Sequence, residues 1–183
     1  MRYSQRIVLN KGSEVLIRSA EASDGLAVYE NFNRVHAETD YLLSYSDENS
    51  FDPGQEAQFL EEKAKAPREL ALLGFIGGAL AGTAIIESVG KKDKVRHRAE
   101  FSISILKEFW GLGLGKALAG ACIRCAKEAG YEQLELTAAA ENERALSLYR
   151  SLGFEEFGRN PRGFKSRSGR YQEVVYMLLC LQE

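Results

Sequence analysis

The sequence predicts a mixed α/β fold in which a mostly antiparallel sheet contains one parallel strand pair and is flanked by helices. Over residues 99–138 a strand pattern, a helical pattern and a second strand pattern follow one another. Such a unit implies a parallel pair joined by a right-handed crossover. Gly77-Gly78 between two apolar segments is typical of an antiparallel hairpin. The 183 residues fit a single domain, 1–183, that is large enough to bury a core.

The composition excludes several classes of protein. Hydrophobic residues make up 45% and charged residues 27%, which is typical of a globular chain. A net charge of -2 argues against a dedicated nucleic-acid-binding protein. Three cysteines and no signal-peptide core at residues 1–12 favour a cytoplasmic protein. The uncharged residues 70–86 are fewer than the ~20 that a membrane helix needs, so we expect two buried strands and no membrane association.

The first half of the chain predicts one strand and two helices before the hairpin. Residues 14–19 form the strand. Ser23 or Asp24 is positioned to cap the first helix, whose buried stripe is predicted from apolar residues at helical spacing: Val28, Phe32 and Val35. The second helix begins with Asp52 at the N-cap, followed by Pro53 and Gln55, the pattern of a capping box.

The second half alternates strands and helices. We expect the hairpin at 70–89, a charged loop at 90–98 and a strand at 99–106. A helix is predicted at 114–129 with a buried apolar stripe, then a strand at 133–138, a short helix at 142–152, and two strands in 154–181 separated by a turn at Ser168-Gly169. This order completes the mixed sheet.

A glycine-rich segment at residues 108–116, Glu-Phe-Trp-Gly-Leu-Gly-Leu-Gly-Lys, lies between the 99–106 strand and the next helix. Glycine allows a tight turn and close approach of a ligand to the backbone. The unpaired N–H groups of the turn and of the first helical turn favour a phosphate or diphosphate.

Two familiar phosphate-binding patterns do not fit this segment. A Walker loop would need glycine at Trp110 and serine or threonine at Ala117. The dinucleotide pattern G-x-G-x-x-G would need glycine at Lys116 or at Leu118. The hypothesis of a nucleotide phosphotransferase is therefore supported only by the glycine turn and Lys116.

A second motif, Asn142-Glu-Arg-Ala-Leu-Ser-Leu-Tyr149-Arg-Ser-Leu-Gly153-Phe154, narrows the choice. It resembles the N-x-x-A-x-x-L-Y-x-x-x-G-F signature of the GNAT (Gcn5-related) N-acetyltransferases. The glycine-rich segment resembles that family's Q/R-x-x-G-x-G/A loop for the diphosphate of acetyl-CoA, with Trp110 at the Q/R position. That departure looks like the ribosomal-protein N-terminal acetyltransferase branch, and it leaves the contact to backbone or to Trp110 itself.

The resemblance implies a splayed parallel strand pair that admits the pantetheine arm of acetyl-CoA. It also implies a set of residues that bind this cosubstrate: Ile103, Ser104, Ile105, Trp110, Gly111, Leu112, Gly113, Leu114, Gly115, Lys116, Asn142 and Tyr149. Backbone groups of the first three would pair with pantetheine, and amides of 112–116 would hold the diphosphate. Tyr149 is seven positions after Asn142, which places both on one helix face. No metal is implied.

The expected reaction is direct transfer of acetyl to a primary amine of a small molecule or a protein N-terminus. An amine with a pKa near ~10 must lose a proton before it attacks, so a base is needed. Glu100 is the first candidate base and Glu87 the second. The Ile105 N–H would stabilise the oxyanion, and Tyr149 would protonate the departing thiolate.

Other features favour structural interpretations. Cys122 and Cys125 lie on an apolar helix face and are expected to be buried thiols, and His36 and His97 are not a credible metal pair. The basic loop 91–98 is expected to be solvated, although it could attract CoA phosphates or an acidic acceptor. Glu38, Asp40 and Tyr41 could help to bind a cationic acceptor, but the favoured interpretation is that they form the end of the first helix and the loop after it.

Two further questions stay open at the level of sequence. The alternative function is a catalytically silent acyl-CoA sensor of the same fold, against which Tyr149 and Glu100 argue. The resemblance leaves open a homodimer.

Overall fold

One eight-stranded sheet and four helices make up the fold. The computed structural model describes residues 2–182, with only the backbone described at residue 11. The strands are β1 Ser4–Val8, β2 Glu14–Ser19, β3 Leu70–Ile76, β4 Ala79–Ser88, β5 Arg98–Ile105, β6 Gln133–Ala139, β7 Glu155–Lys165 and β8 Tyr171–Cys180. The helices are α1 Gly25–Glu38, α2 Pro53–Lys65, α3 Leu114–Glu128 and α4 Glu143–Ser151.

The sheet is mixed, as predicted. Its strand order is β1-β2-β3-β4-β5-β6-β8-β7. The central pair β5–β6 is parallel, and the six other neighbouring pairs run antiparallel. The hairpin turn at Gly77-Gly78 is confirmed, with φ of 58° and 84° at its two glycines. Among residues 2–182, no helix is long and apolar enough to cross a membrane.

The helices cover the two faces of the sheet in pairs. On one face, which we call the α3 face, Leu114 and Leu118 pack near Gly74 and Tyr149 of α4 packs against Phe101. On the opposite face, the α1 face, Val28 of α1 and Leu60 of α2 join a second core. Cys122 and Cys125 are buried in the larger core on the α3 face, which confirms the expected buried thiols.

Helix α2 is capped as predicted, whereas α1 has Asp24 at its N-cap without a side-chain capping bond. The Asp52 carboxylate accepts the N–H groups of Gly54 and Gln55, both at 2.8 Å, and the Gln55 side chain accepts the Asp52 N–H. The Asp24 carboxylate does not cap α1. It accepts the Glu21 N–H at 2.8 Å and forms a salt bridge with Arg18, because a short 3-10 turn precedes the helix.

The predicted buried stripe of α1 was partly wrong. Val28 and Val35 are buried, but Asn31 lies between them in the core and donates to the Leu80 carbonyl at 3.0 Å. Phe32 is only partly buried and stacks on His36, with 3.7 Å between the ring centroids. An amide that hydrogen-bonds to the sheet therefore takes the central position of the stripe.

The parallel pair separates soon after it begins. β5 and β6 are paired at Arg98↔Gln133, Ala99↔Leu134 and Glu100↔Glu135. Beyond that point β5 continues along β4 as far as Ile105, and β6 continues along β8 as far as Ala139. A wedge, the gap between β5 and β6 beyond Glu100 and Glu135, opens between them. The splayed central pair implied by the resemblance is thus present.

Candidate active site

The wedge exposes backbone groups of alternate β5 residues. The Leu106 N–H donates to the Ala81 carbonyl at 3.0 Å, which fixes the side of β5 that bonds to β4. By the alternation of an antiparallel pair, Ser104 also directs its backbone groups toward β4, while Ile103 and Ile105 direct theirs into the wedge. The expectation that the Ser104 backbone faces pantetheine therefore does not hold, although that residue borders the cavity described below.

The glycine-rich turn presents free amides where α3 begins. Gly113 is the N-cap residue and has a φ of 95°, a left-handed conformation that glycine adopts without penalty. No side chain caps the helix, and the first bond back to the N-cap is from the Ala117 N–H to the Gly113 carbonyl at 3.1 Å. The amides of residues 114–116 precede that bond, so they are available to an anion.

Gly115 allows three elements to meet beside these amides. A Cβ at this position would lie 3.0 Å from the Leu148 side chain of α4 and 3.3 Å from the Ile105 side chain of β5. A side chain here would require Leu148 and Ile105 to shift. The close approach makes the free amides and the wedge parts of one continuous site.

A cavity of about 350 Å³ joins the turn, the wedge and the end of α1. It is lined by Asn10, Val35, Thr39, Tyr41, Leu42, Ile103, Ser104, Ile105, Phe109, Trp110, Gly111, Gly113, Leu114, Gly115, Lys116, Asn142, Arg144, Ala145, Leu148 and Tyr149. Every predicted cosubstrate-binding residue except Leu112 is in this lining. The Leu112 carbonyl instead accepts the Asn10 N–H at 3.1 Å, which ties the turn to the segment after β1.

The two motif residues of α4 lie on the cavity side of that helix. The Asn142 Oδ1 accepts the Ala145 N–H at 3.2 Å, so this side chain caps α4 as well as lining the cavity. Tyr149 is buried against Phe101 and Phe154, with ring centroids 6.3 and 5.9 Å away. That burial raises the pKa of Tyr149 to about 12, which keeps the phenol protonated at neutral pH.

The two candidate bases lie outside the cavity lining. Glu100 is exposed on the α1 face and is the last β5 residue paired with β6, at the closed end of the wedge. Glu87 is its direct partner on β4, and its carboxylate is 2.5 Å from the Lys63 Nζ. Lys63 also holds Glu69 at 2.6 Å. Of the two carboxylates, Glu100 is therefore nearer the wedge and has no such lysine partner among the described residues.

The other regions named from the sequence are divided between the cavity and the surface. Tyr41 lines the cavity, and the neighbouring Glu38 and Asp40 do not. The Glu38 carboxylate instead accepts the Lys107 N–H at 2.7 Å. Loop 91–98 precedes β5, roughly 25 Å of strand away from the glycine-rich turn that follows it. The structure therefore keeps this basic loop away from the cavity.

Eight lining residues were not predicted: Asn10, Val35, Thr39, Leu42, Phe109, Arg144, Ala145 and Leu148. Ala145 and Leu148 occupy named positions of the second motif, which was an available signal, whereas Arg144 occupies a variable position of it. No motif in the sequence marked Asn10, between β1 and β2, or the residues at the end of α1. Within residues 2–182, no group of three or more His, Cys, Asp or Glu is arranged to hold a metal ion.

Comparison with known proteins identifies the family. Residues 33–154 match the acetyltransferase (GNAT) family. The chain is 27% identical to the L-amino acid N-acetyltransferase AaaT of Escherichia coli, over 90% of this chain and 97% of that protein. It is 26% identical to the L-amino acid N-acyltransferase MnaT of the same organism, over 91% and 94%.

A solved structure agrees with the family match. A GNAT acetyltransferase from Streptococcus pneumoniae superimposes with a TM-score of 0.87 and 31% identity, covering 91% of this chain and 99% of that one. The family match, at residues 33–154, spans both motifs of this chain. The chain therefore belongs to the acetyltransferase (GNAT) family, which confirms the resemblance and the enzyme class expected from the sequence.

Proposed function

We propose that this protein transfers an acetyl group directly from acetyl-CoA to a primary amine. One observation carries the proposal: a single cavity runs from the free amides at the start of α3, through the wedge, to Tyr149. An anionic diphosphate suits one end of this cavity and an acyl thioester suits the other. The motif spacing and the GNAT match support the same reaction.

The residues of the cavity divide the binding task. Amides of residues 114–116 bind the diphosphate, assisted by the positive end of the α3 dipole. The wedge-facing N–H and carbonyl of Ile103 and the N–H of Ile105 bond the amide groups of pantetheine, as a neighbouring strand would, while the Ile105 carbonyl accepts the Trp110 Nε1–H. The Asn142 Nδ2 donates to the same arm, because the Oδ1 is already used in capping α4. Acetyl-CoA supplies the activated acyl group.

Three groups act on the reacting atoms. Glu100, directly or through water, accepts the proton of the attacking amine. A wedge-facing N–H, that of Ile105 or Ile103, stabilises the negative charge that develops on the carbonyl oxygen. As the carbon–nitrogen bond forms and the carbon–sulfur bond breaks, Tyr149 donates its phenolic proton to the thiolate. The buried phenol is suited to this donation because it is neutral before the reaction.

The acceptor approaches from the α1 side of the cavity, where Val35, Thr39, Tyr41 and Leu42 form the wall. AaaT and MnaT are transferases for L-amino acids, so an α-amine is the first acceptor class to propose. The α-amine of a peptide or protein N-terminus has a pKa of about 8, lower than that of lysine, so a larger share of it is uncharged at neutral pH. A free amino acid and a protein N-terminus both supply this group.

Release of free thiol tests the proposal. Purified protein is incubated with acetyl-CoA and a panel of free L-amino acids, polyamines and short peptides, and CoA thiol is measured. We expect acetyl-CoA to bind and at least one amine to release thiol stoichiometrically with acetylated product. Binding without turnover over the whole panel would support the silent sensor instead. Binding of ATP with Mg²⁺ in place of CoA would support a phosphotransferase.

A further inference from the structure

The residue at the Q/R position of the loop does not contact a phosphate in the way that arginine or glutamine can. The Trp110 Nε1 donates to the Ile105 carbonyl at 2.8 Å. An indole has this single donor, so the bond uses the hydrogen-bonding capacity of the side chain. Trp110 therefore fastens the end of β5, and the positive or polar group usual at this loop position is absent from it.

A cation from another element occupies the space above Trp110. The Arg144 guanidinium, from the first turn of α4, lies 5.2 Å from the centroid of the indole ring. Its Nη2 is 3.4 Å from the point where a Cβ on Gly111 would stand. Stacking on an aromatic face holds a guanidinium by cation–π attraction while its N–H groups stay free to donate in the ring plane.

The charges around the cavity favour an anion at this point. Arg144 and Lys116 line it, and no carboxylate does among the described residues. The Glu143 carboxylate, next to Arg144 in sequence, lies 3.9 Å from Arg150. Arg144 is exposed, so its guanidinium stays hydrated in the ligand-free protein and carries little desolvation free energy there.

We propose that Arg144 binds the diphosphate of acetyl-CoA from α4, in place of the side chain at the Q/R position, and that Trp110 orients it. The inference depends on the proposed function, because it assumes that the cavity takes acetyl-CoA. A guanidinium pairs with phosphate oxygens in a bidentate geometry, so Arg144 complements the amides of residues 114–116 from the opposite wall. Arg144 is a cosubstrate-binding residue and Trp110 a positioning residue.

Calorimetric titration with three ligands tests the role of Arg144. Coenzyme A, dephospho-coenzyme A without the 3′-phosphate, and pantetheine without any phosphate are each added to wild-type protein and to Arg144→Ala. We expect coenzyme A and dephospho-coenzyme A to bind about tenfold more weakly to the variant, as for loss of one charge-assisted contact. Pantetheine should bind both proteins equally. Arg150→Ala, which removes an exposed arginine from the same helix, should bind all three as wild type does.

Each contrary result has a distinct meaning. If Arg144→Ala binds coenzyme A as tightly as Arg150→Ala does, the inference is wrong and the proposed function stands. If the loss disappears with dephospho-coenzyme A, Arg144 contacts the 3′-phosphate and the diphosphate assignment is wrong. If wild-type protein binds none of the three ligands, the proposed function fails and this inference fails with it.

A double-mutant cycle tests the positioning role of Trp110. Trp110→Leu should weaken coenzyme A binding about as much as Arg144→Ala, and the double variant should lose little more, since both changes remove the same contact. Trp110→Phe keeps an aromatic face and should retain most of the affinity. Full affinity in Trp110→Leu, or fully additive losses, would overturn the positioning role.

Discussion

Tyr149 combines burial with access to the cavity, and the two together suit it to donate a proton. Its aromatic neighbours Phe101 and Phe154 exclude water from the ring, which disfavours the charged phenolate and raises the pKa to about 12. A phenol with this pKa is protonated across the working pH range. It therefore carries its proton when the thiolate leaves, and because the phenol is a weaker acid than a thiol with a pKa of about 8.5, the donation has to be coupled to breaking of the carbon–sulfur bond.

We expect Tyr149→Phe to lower kcat about a hundredfold, which is typical of losing a general acid. The KM for acetyl-CoA should stay within about twofold, because the aromatic packing is retained. Steady-state thiol release measures both parameters. Tyr131→Phe is the matched control, since Tyr131 is 2% exposed in the same core and does not line the cavity. A Tyr149→Phe variant with unchanged kcat would refute the acid role.

Glu100→Gln should lower kcat/KM at neutral pH by roughly a hundredfold, because the variant cannot accept the proton of the amine. The deficit should shrink as the pH rises toward the pKa of the amine acceptor, where more amine is already uncharged. Glu87→Gln, which changes the paired residue on β4, should retain most of the activity. If Glu87→Gln instead lost more kcat/KM at neutral pH than Glu100→Gln did, the base would be Glu87.

At the residue scale, the sequence predicted those site residues that the family signature names. Asn142 and Tyr149 are separated by two helical turns, and this spacing alone places them together. Arg144 stands on the same helix, but its position is variable in the signature, so nothing marked it. Its role emerges only when Trp110, 34 positions earlier in sequence, is seen beneath its guanidinium.

The start of α3 depends on one backbone conformation. Gly113→Ala forces a side chain into a left-handed conformation with φ of 95°, at a cost of about 1–2 kcal/mol. We expect a lower melting temperature and weaker binding of coenzyme A, because the turn that aims the amides is distorted. Gly120→Ala in the same helix should instead raise stability by ~1 kcal/mol and leave binding unchanged, since its nearest neighbour would be 3.9 Å away. Equal binding by both variants would argue against the amide site.

Helix α2 buries a carboxyl group whose pKa is raised by burial. Glu56 is 7% exposed. Because its pKa is higher in the folded than in the unfolded chain, its favourable contribution is complete below about pH 4.3 and is lost as the pH rises through the folded value. We expect Glu56→Gln to raise the melting temperature at pH 7, with a smaller gain near pH 4. Glu62→Gln, which changes an exposed carboxyl group on the same helix, is the control.

At the element scale, strongly patterned segments were predictable and weakly patterned ones were not. The capping box of α2 and the glycine turn of the hairpin are local signals, and both were confirmed. β1 was missed because it is an exposed edge strand with the sequence Ser-Gln-Arg-Ile-Val, which lacks a buried face. Asp24 stands at the N-cap of α1 as predicted, but its carboxylate does not cap the helix because it pairs with Arg18, a tertiary partner that the sequence alone cannot reveal.

At the scale of the whole molecule, the site lies where the sheet changes from antiparallel to parallel pairing. β5 has β4 on one side throughout its length and β6 on the other for only three residues. The backbone groups that β6 does not use are then open to a ligand. Five separate segments converge there, around residues 10, 35–42, 103–105, 109–116 and 142–149. Their convergence is a property of the fold, which is why only the segments with motifs were predictable.

In the proposed complex, main-chain amides of the wedge and of the glycine-rich turn hold the cosubstrate. Amide hydrogen exchange with and without coenzyme A tests it most directly, because it reads those groups without any mutation. We predict that coenzyme A slows exchange at Ile103, at Ile105 and at residues 114–116, and leaves the β7–β8 pair unchanged. Unchanged exchange at all of these amides, under conditions where coenzyme A is bound, would contradict the account.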